Sequence, residues 1–251
     1  MTKAPFWGYN GTYKNKERLC MMKKTLQYIL WLVLAPLSLW AGYLLAGDRG
    51  TAFAVGALVV LSLLPFFLRF EKAKHSAAEI TVLAALGAFA AVSRMAFFAL
   101  PGVKPITAVA VLAGVFFGKE AGFATGSLSA LLSGLAFGIG EFTPFQMLSW
   151  GFCGLLAGLL APLLKQLVPL LIYGGASGIL FSLVMDLWVV LTAEGGFSLS
   201  RFAAATVTSL PFTLLYALTN ILFLALMRKP VTRIFGRLQR KYGIFQAAQE
   251  R

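Results

Sequence analysis

The sequence predicts an all-α protein, a polytopic membrane helical bundle of about eight transmembrane helices. Two quantities and one pattern carry that prediction. Charged residues make up 12% of the 251-residue chain, about half of the roughly 25% found in soluble domains. The mean hydropathy is +0.81. The apolar residues fall in continuous runs of roughly twenty, the length of a membrane-spanning helix, and not in the short alternating segments of a membrane barrel.

Residues 1–24 are polar and basic (Lys3, Lys14, Lys16, Arg18, Lys23, Lys24) and read as a cytosolic tail. The apolar run that follows is of full span length and is itself followed by another. The start therefore reads as a span with a basic flank and not as a cleaved signal. Predicted spans cover residues 25–46 and 51–70, joined by Gly47-Asp48-Arg49-Gly50. Pro36 and Pro65 lie inside them, as membrane helices tolerate. A basic loop from Arg69 to Lys74 leads to His75, the one histidine, which reads as solvated.

Six further spans are predicted at residues 79–100, 106–117, 121–137, 145–164, 168–193 and 202–227. The domain layout is then a basic tail (1–24), two extra helices with a basic loop (25–75), a six-helix core (76–228) and a second basic tail (229–251). Eight spans send alternate loops to the same side. One side collects both tails, the Arg69 to Lys74 loop, Lys119 and Lys165, so the positive-inside rule places both termini in the cytosol of a cell-membrane protein. The net charge of +13 sits in these flanks, where it meets anionic lipid; the composition points to a bilayer partner and to no nucleic acid.

Cys20 lies in the tail and Cys153 in an apolar segment, so no disulfide is expected. With one histidine, no metal-ligand set is expected either. Neither a phosphate-cradling loop nor a nucleophile elbow occurs, and no cofactor is predicted. Glycines recur at intervals of four (Gly114, Gly118, Gly122, Gly126; Gly154, Gly158), a spacing that lets helix backbones approach closely. Two readings stand beside each other there: tight packing, or a glycine-lined gap for a ligand.

The most conspicuous stretch is Gly138-Ile139-Gly140-Glu141-Phe142-Thr143-Pro144-Phe145-Gln146-Met147-Leu148-Ser149-Trp150-Gly151, a polar break between two apolar segments. Polar groups at such a break are expected to line a protected, watery site. Two ionisable groups sit clearly within spans, Arg94 and Asp186, each about two turns from the same predicted end. Such residues are costly in a membrane and usually functional. They are expected to pair, or to face one cavity from two sides.

The small-residue helix from Ala84 to Arg94, the Pro101-Gly102-Val103-Lys104-Pro105-Ile106-Thr107 segment and the polar break together resemble the substrate-binding S component of energy-coupling factor (ECF) transporters. The break is nearest to the cobalamin-type branch, with Phe142 and Phe145 at two of that pattern's tryptophan positions and Glu141 at a small-residue position. The resemblance implies a subunit with no enzymatic activity of its own. It would capture a vitamin, cobalamin or a related corrinoid, at the outer face and deliver it with a transmembrane coupling protein and two ATPase subunits. Ala84 and Ala88, one turn apart, match the family's face for the coupling protein, and residues 101–105 its lid.

The candidate substrate-binding residues are Arg94, Lys104, Glu141, Phe142, Thr143, Phe145, Gln146, Trp150 and Asp186. The aromatics among them are expected to stack on a flat ring, Thr143 and Gln146 to bond its polar rim, and Arg94 or Lys104 to meet a phosphate or carboxylate. The alternatives are an S component for a different vitamin, an integral-membrane enzyme acting on a lipid or polyprenyl phosphate, and a scaffold without a ligand.

Overall fold

The computed structural model describes residues 76–193 and 197–244. The predicted spans 25–46 and 51–70, the first tail, His75, Glu194 and the last seven positions lie outside the described residues. The described residues form helices with no strand among them: α1 (Ala77–Ala96), α2 (Ile106–Phe117), α3 (Lys119–Phe137), α4 (Phe142–Leu159), the one-turn α5 (Ala161–Leu164), α6 (Leu167–Thr192) and α7 (Leu199–Tyr242). Three of them, α1, α6 and α7, are long and apolar enough to cross a membrane.

Large apolar side chains cover the outside as well as the core, and several polar residues lie inside. Phe89, Val92, Leu135, Ile172, Val207, Leu218 and Leu222 face outward, whereas Thr107, Thr125, Ser127, Ser129, Ser133, Gln146 and Asn220 are buried. Several of the buried hydroxyls bond within their own helices: Ser129 donates to the Thr125 carbonyl at 2.5 Å and Ser149 to the Phe145 carbonyl at 2.7 Å. That arrangement removes the cost of an unpaired polar group where water is excluded.

α2 is the axis of the fold. It packs on α1, α3, α4, α5, α6 and α7, and every one of its residues except Phe116 is buried. Its 12 residues extend only about 18 Å at the α-helical rise, short of a hydrocarbon core about 30 Å thick. The surrounding helices shield it, which explains how a short helix sits inside the bundle. At its end Gly118, with φ +95°, turns the chain into α3 through a conformation that disfavours side chains.

The glycine repeats are a packing seam. A Cβ on Gly114 would lie 2.1 Å from the Gly154 carbonyl oxygen, one on Gly122 2.3 Å from that same oxygen, and one on Gly126 2.2 Å from the Trp150 carbonyl oxygen. Backbone meets backbone along α2, α3 and α4. This settles the choice between packing and a ligand gap in favour of packing at those three positions.

Several element boundaries differ from the sequence reading, and three of the differences have an evident physical reason. α1 begins at Ala77 because Ser76 and Glu79 form a reciprocal capping box, with Glu79 N donating to Ser76 Oγ and Ser76 N to Glu79 Oε2. α4 begins at Phe142, taking in all of the polar break after residue 141. Pro144 fits in its first turn, where the backbone N–H would lack a helical partner anyway. It stops at Leu159, and Pro162 lies in the separate turn α5.

The third difference is at the end of α7. The predicted span stops at 227, where hydropathy falls, yet the helix continues to Tyr242 and carries Pro211 and Pro230 within it. Its 44 residues reach about 66 Å, and the extension is held by packing. Phe235 lies 4.4 Å from the Phe117 ring centroid, and Gln239 Nε2 donates to the Phe116 carbonyl at 3.0 Å, satisfying an open carbonyl at the end of α2.

Candidate functional site

The ends of α1, α3 and α6 and the starts of α2, α4 and α7 lie at one end of the bundle, since successive long elements alternate in direction. The polar side chains there converge on Arg94, in the last turn of α1. Its Nη1 donates to Ser133 Oγ on α3 at 2.8 Å and to Gln146 Oε1 on α4 at 3.2 Å. One guanidinium thus ties three helices together. Its Cζ stands 4.9 Å from the Phe137 ring centroid and 5.2 Å from that of Trp150, close enough for cation–π attraction.

Lys104 comes to the same place from the segment between α1 and α2. Gly102 turns that segment with φ +76°, and Pro105 is buried at the start of α2. The Lys104 ammonium then lies 5.5 Å from the Phe181 centroid and 5.8 Å from that of Tyr216. Burial, with the nearby Arg94 charge as a lesser cause, pushes its pKa down to about 8.

Beneath the two cations lies an aromatic floor. Phe181 stacks on Trp150 at 4.8 Å and meets Tyr216 edge-on at 5.0 Å. Trp150 Nε1 donates to the Tyr216 hydroxyl at 2.8 Å, and that hydroxyl also bonds Thr107 at the start of α2. These bonds and ring contacts join α2, α4, α6 and α7 in one layer.

The structure therefore assembles Arg94, Lys104, Gln146 and Trp150 and separates the other predicted residues from them. Trp150 is at 0% exposure, so its ring packs on protein and is not open for a ligand to stack on. Phe145 is likewise buried, in a cluster with Phe123, Leu148 and Leu191. Thr143 is a turn residue: its Oγ1 accepts from Gly140 N at 3.0 Å. Glu141 is exposed at the N-cap of α4 without a capping bond, and Phe142 packs edge-on against Trp188 at 5.8 Å.

Arg94 and Asp186 keep separate partners. Asp186 Oδ2 accepts from Ser209 Oγ on α7 at 2.8 Å, while Arg94 bonds Ser133 and Gln146. Ala84 and Ala88 are exposed on α1, bordering the face that buries Leu83, Gly87, Ala90 and Ala91.

Sequence reasoning missed Ser133, Phe181, Thr107 and Tyr216. A serine or tyrosine in an apolar helix carries no signal of which neighbour it meets. No family model matches the chain, and neither a curated protein nor a solved structure matches it.

Proposed function

We propose that the protein is the membrane-embedded substrate-binding subunit of an ECF-type importer, with eight spans and both termini in the cytosol. It captures a vitamin or cofactor precursor at the bundle end that holds Arg94 and Lys104, and hands it to a transmembrane coupling protein driven by two ATPase subunits. The observation that carries this reading is a single polar cluster, Arg94, Lys104, Ser133 and Gln146, set over an aromatic floor at one end of a bundle with apolar sides. An apolar pocket with a few fixed polar groups is the usual design of a small-molecule site. The exposed Ala84 and Ala88 offer α1 as the face for the coupling protein. Cobalamin or a related corrinoid is the first ligand to test, on the resemblance of the polar break.

The test is purification of the full chain from its native membrane, mass spectrometry of the small molecules that accompany it, and a thermal-shift panel of vitamins. A corrinoid or another vitamin is expected to co-purify and to raise the melting temperature. If none does either, capture is refuted. Substituting Ala84→Leu and Ala88→Leu is expected to leave ligand binding intact and to abolish recovery of the coupling and ATPase subunits; unchanged recovery refutes the docking face.

A further inference from the structure

Arg94 and Lys104 bring two positive charges within electrostatic reach of each other, each partly withdrawn from water at the same end of the bundle. Among the described residues neither has a carboxylate partner. The one buried carboxylate there, Asp186, is held by Ser209. Two like charges in a low-dielectric setting raise the free energy of the empty site, and ring faces offset only part of that cost. A bound negative charge would remove it.

The donors are arranged for such a group. Both Arg94 hydrogen bonds leave from Nη1, so Nη2 and Nε keep their N–H groups without acceptors among the described residues. Those two nitrogens form the planar fork that meets a carboxylate or phosphate in bidentate fashion. Ser133 and Gln146 fix the plane of the fork, and the Lys104 ammonium has ring faces as neighbours but no hydrogen-bond acceptor among the described residues.

We propose that Arg94 and Lys104 together anchor one anionic group, a carboxylate or a phosphate, on the captured small molecule. This rests on the capture reading and adds that the ligand carries a free negative charge. The anion bridges the last turn of α1 to the segment before α2, drawing together two positions that repel each other when the site is empty. A neutral analogue leaves both cations unneutralised and is rejected for that reason.

The experiment uses the full chain in lipid nanodiscs with matched probes, cobalamin with its phosphodiester against cobinamide, nicotinate against nicotinamide and flavin mononucleotide against riboflavin, with inorganic phosphate alongside. Binding is read by calorimetry and thermal shift. In at least one pair the anionic member is expected to bind ten times more tightly than its neutral counterpart, and which pair responds separates carboxylate from phosphate. K104Q, checked to melt no lower than wild type without probe, is expected to weaken the anion about tenfold and to leave the neutral probe unaffected. R94K keeps the charge but loses the fork, and is expected to weaken the same anion.

Equal binding of charged and neutral members overturns the anchor while leaving capture standing. So does wild-type affinity in both variants. Failure of every anionic probe also overturns the anchor, and capture is then judged separately on what co-purifies.

Discussion

Substituting Gly154 by alanine tests the seam on which the whole site is hung. A Cβ at Gly154 would lie 2.2 Å from the Gly122 carbonyl oxygen, 2.4 Å from its carbonyl carbon and 2.9 Å from its Cα. All three are backbone atoms, so no side-chain rotation relieves the clash, and α3 and α4 must move apart by about 1 Å to restore van der Waals contact. Overpacking of this kind costs about 1–3 kcal/mol, against roughly 1 kcal/mol gained from alanine's better helix propensity. Gly134→Ala is the control: on α3, the helix that faces Gly154, its Cβ would meet nothing closer than 3.4 Å, and that atom is the Ile139 Cγ1 side-chain carbon. It keeps the propensity gain and loses little. At about 2–4 °C per kcal/mol for a chain of this size, G154A is expected to unfold several degrees below wild type and G134A at or slightly above it. Thermal unfolding in detergent, followed by tryptophan fluorescence, separates them. If G154A is as stable as G134A, the backbone contact is not as tight as described and the seam argument fails.

Lys104 supplies a pH test of the unliganded protein. Its folded pKa of about 8 lies below the unfolded value of about 10.4. The unfolded chain therefore binds more protons between those values, and stability rises with pH across that window. Wild type is expected to gain stability relative to K104Q from pH 8 to pH 10, and parallel curves refute a buried ammonium. Phe235 tests the end of α7: its buried ring packs on Phe117, and loss of a buried phenylalanine costs about 3–5 kcal/mol. F235A is expected to open the 228–242 stretch to trypsin at Arg233, Arg237 and Arg240, with slower cleavage in wild type; equal rates refute the docked extension.

The helical class and most helix positions were legible because apolar runs of span length leave few alternatives. The short α2 was legible for a further reason: Pro105 and Gly118 bracket it. What hydropathy does not report is amphipathic helix that is packed but not spanning. Residues 228–242 read as a basic tail because their charges dominate the average, whereas the contacts of Phe235 and Gln239 on α2 decide the structure. The polar break failed in a similar way. Pro144 and the glycines suggested an irregular stretch up to a span beginning at 145, but Pro144 is compatible with a helix start, so the helix begins at Phe142 and only residues 138–141 remain outside helix.

The site itself was half legible, and the half that was missed explains the rest. Arg94 stood out as an intramembrane charge, and its depth alone suggested Asp186 as its partner. Depth fixes one coordinate, however, and the azimuth of each helix fixes the others. α1 packs on α3 and α2, which turns Arg94 toward Ser133 and Gln146; α6 packs on α7, which turns Asp186 toward Ser209. Two neutral acceptors position the guanidinium without cancelling its charge, whereas a carboxylate would have consumed it. An arginine held by Ser133 and Gln146, with Lys104 nearby, keeps its positive charge uncancelled. For that reason the pairing that seemed natural from sequence is the one that would have neutralised the guanidinium, and its absence among the described residues leaves the Arg94 charge without a carboxylate.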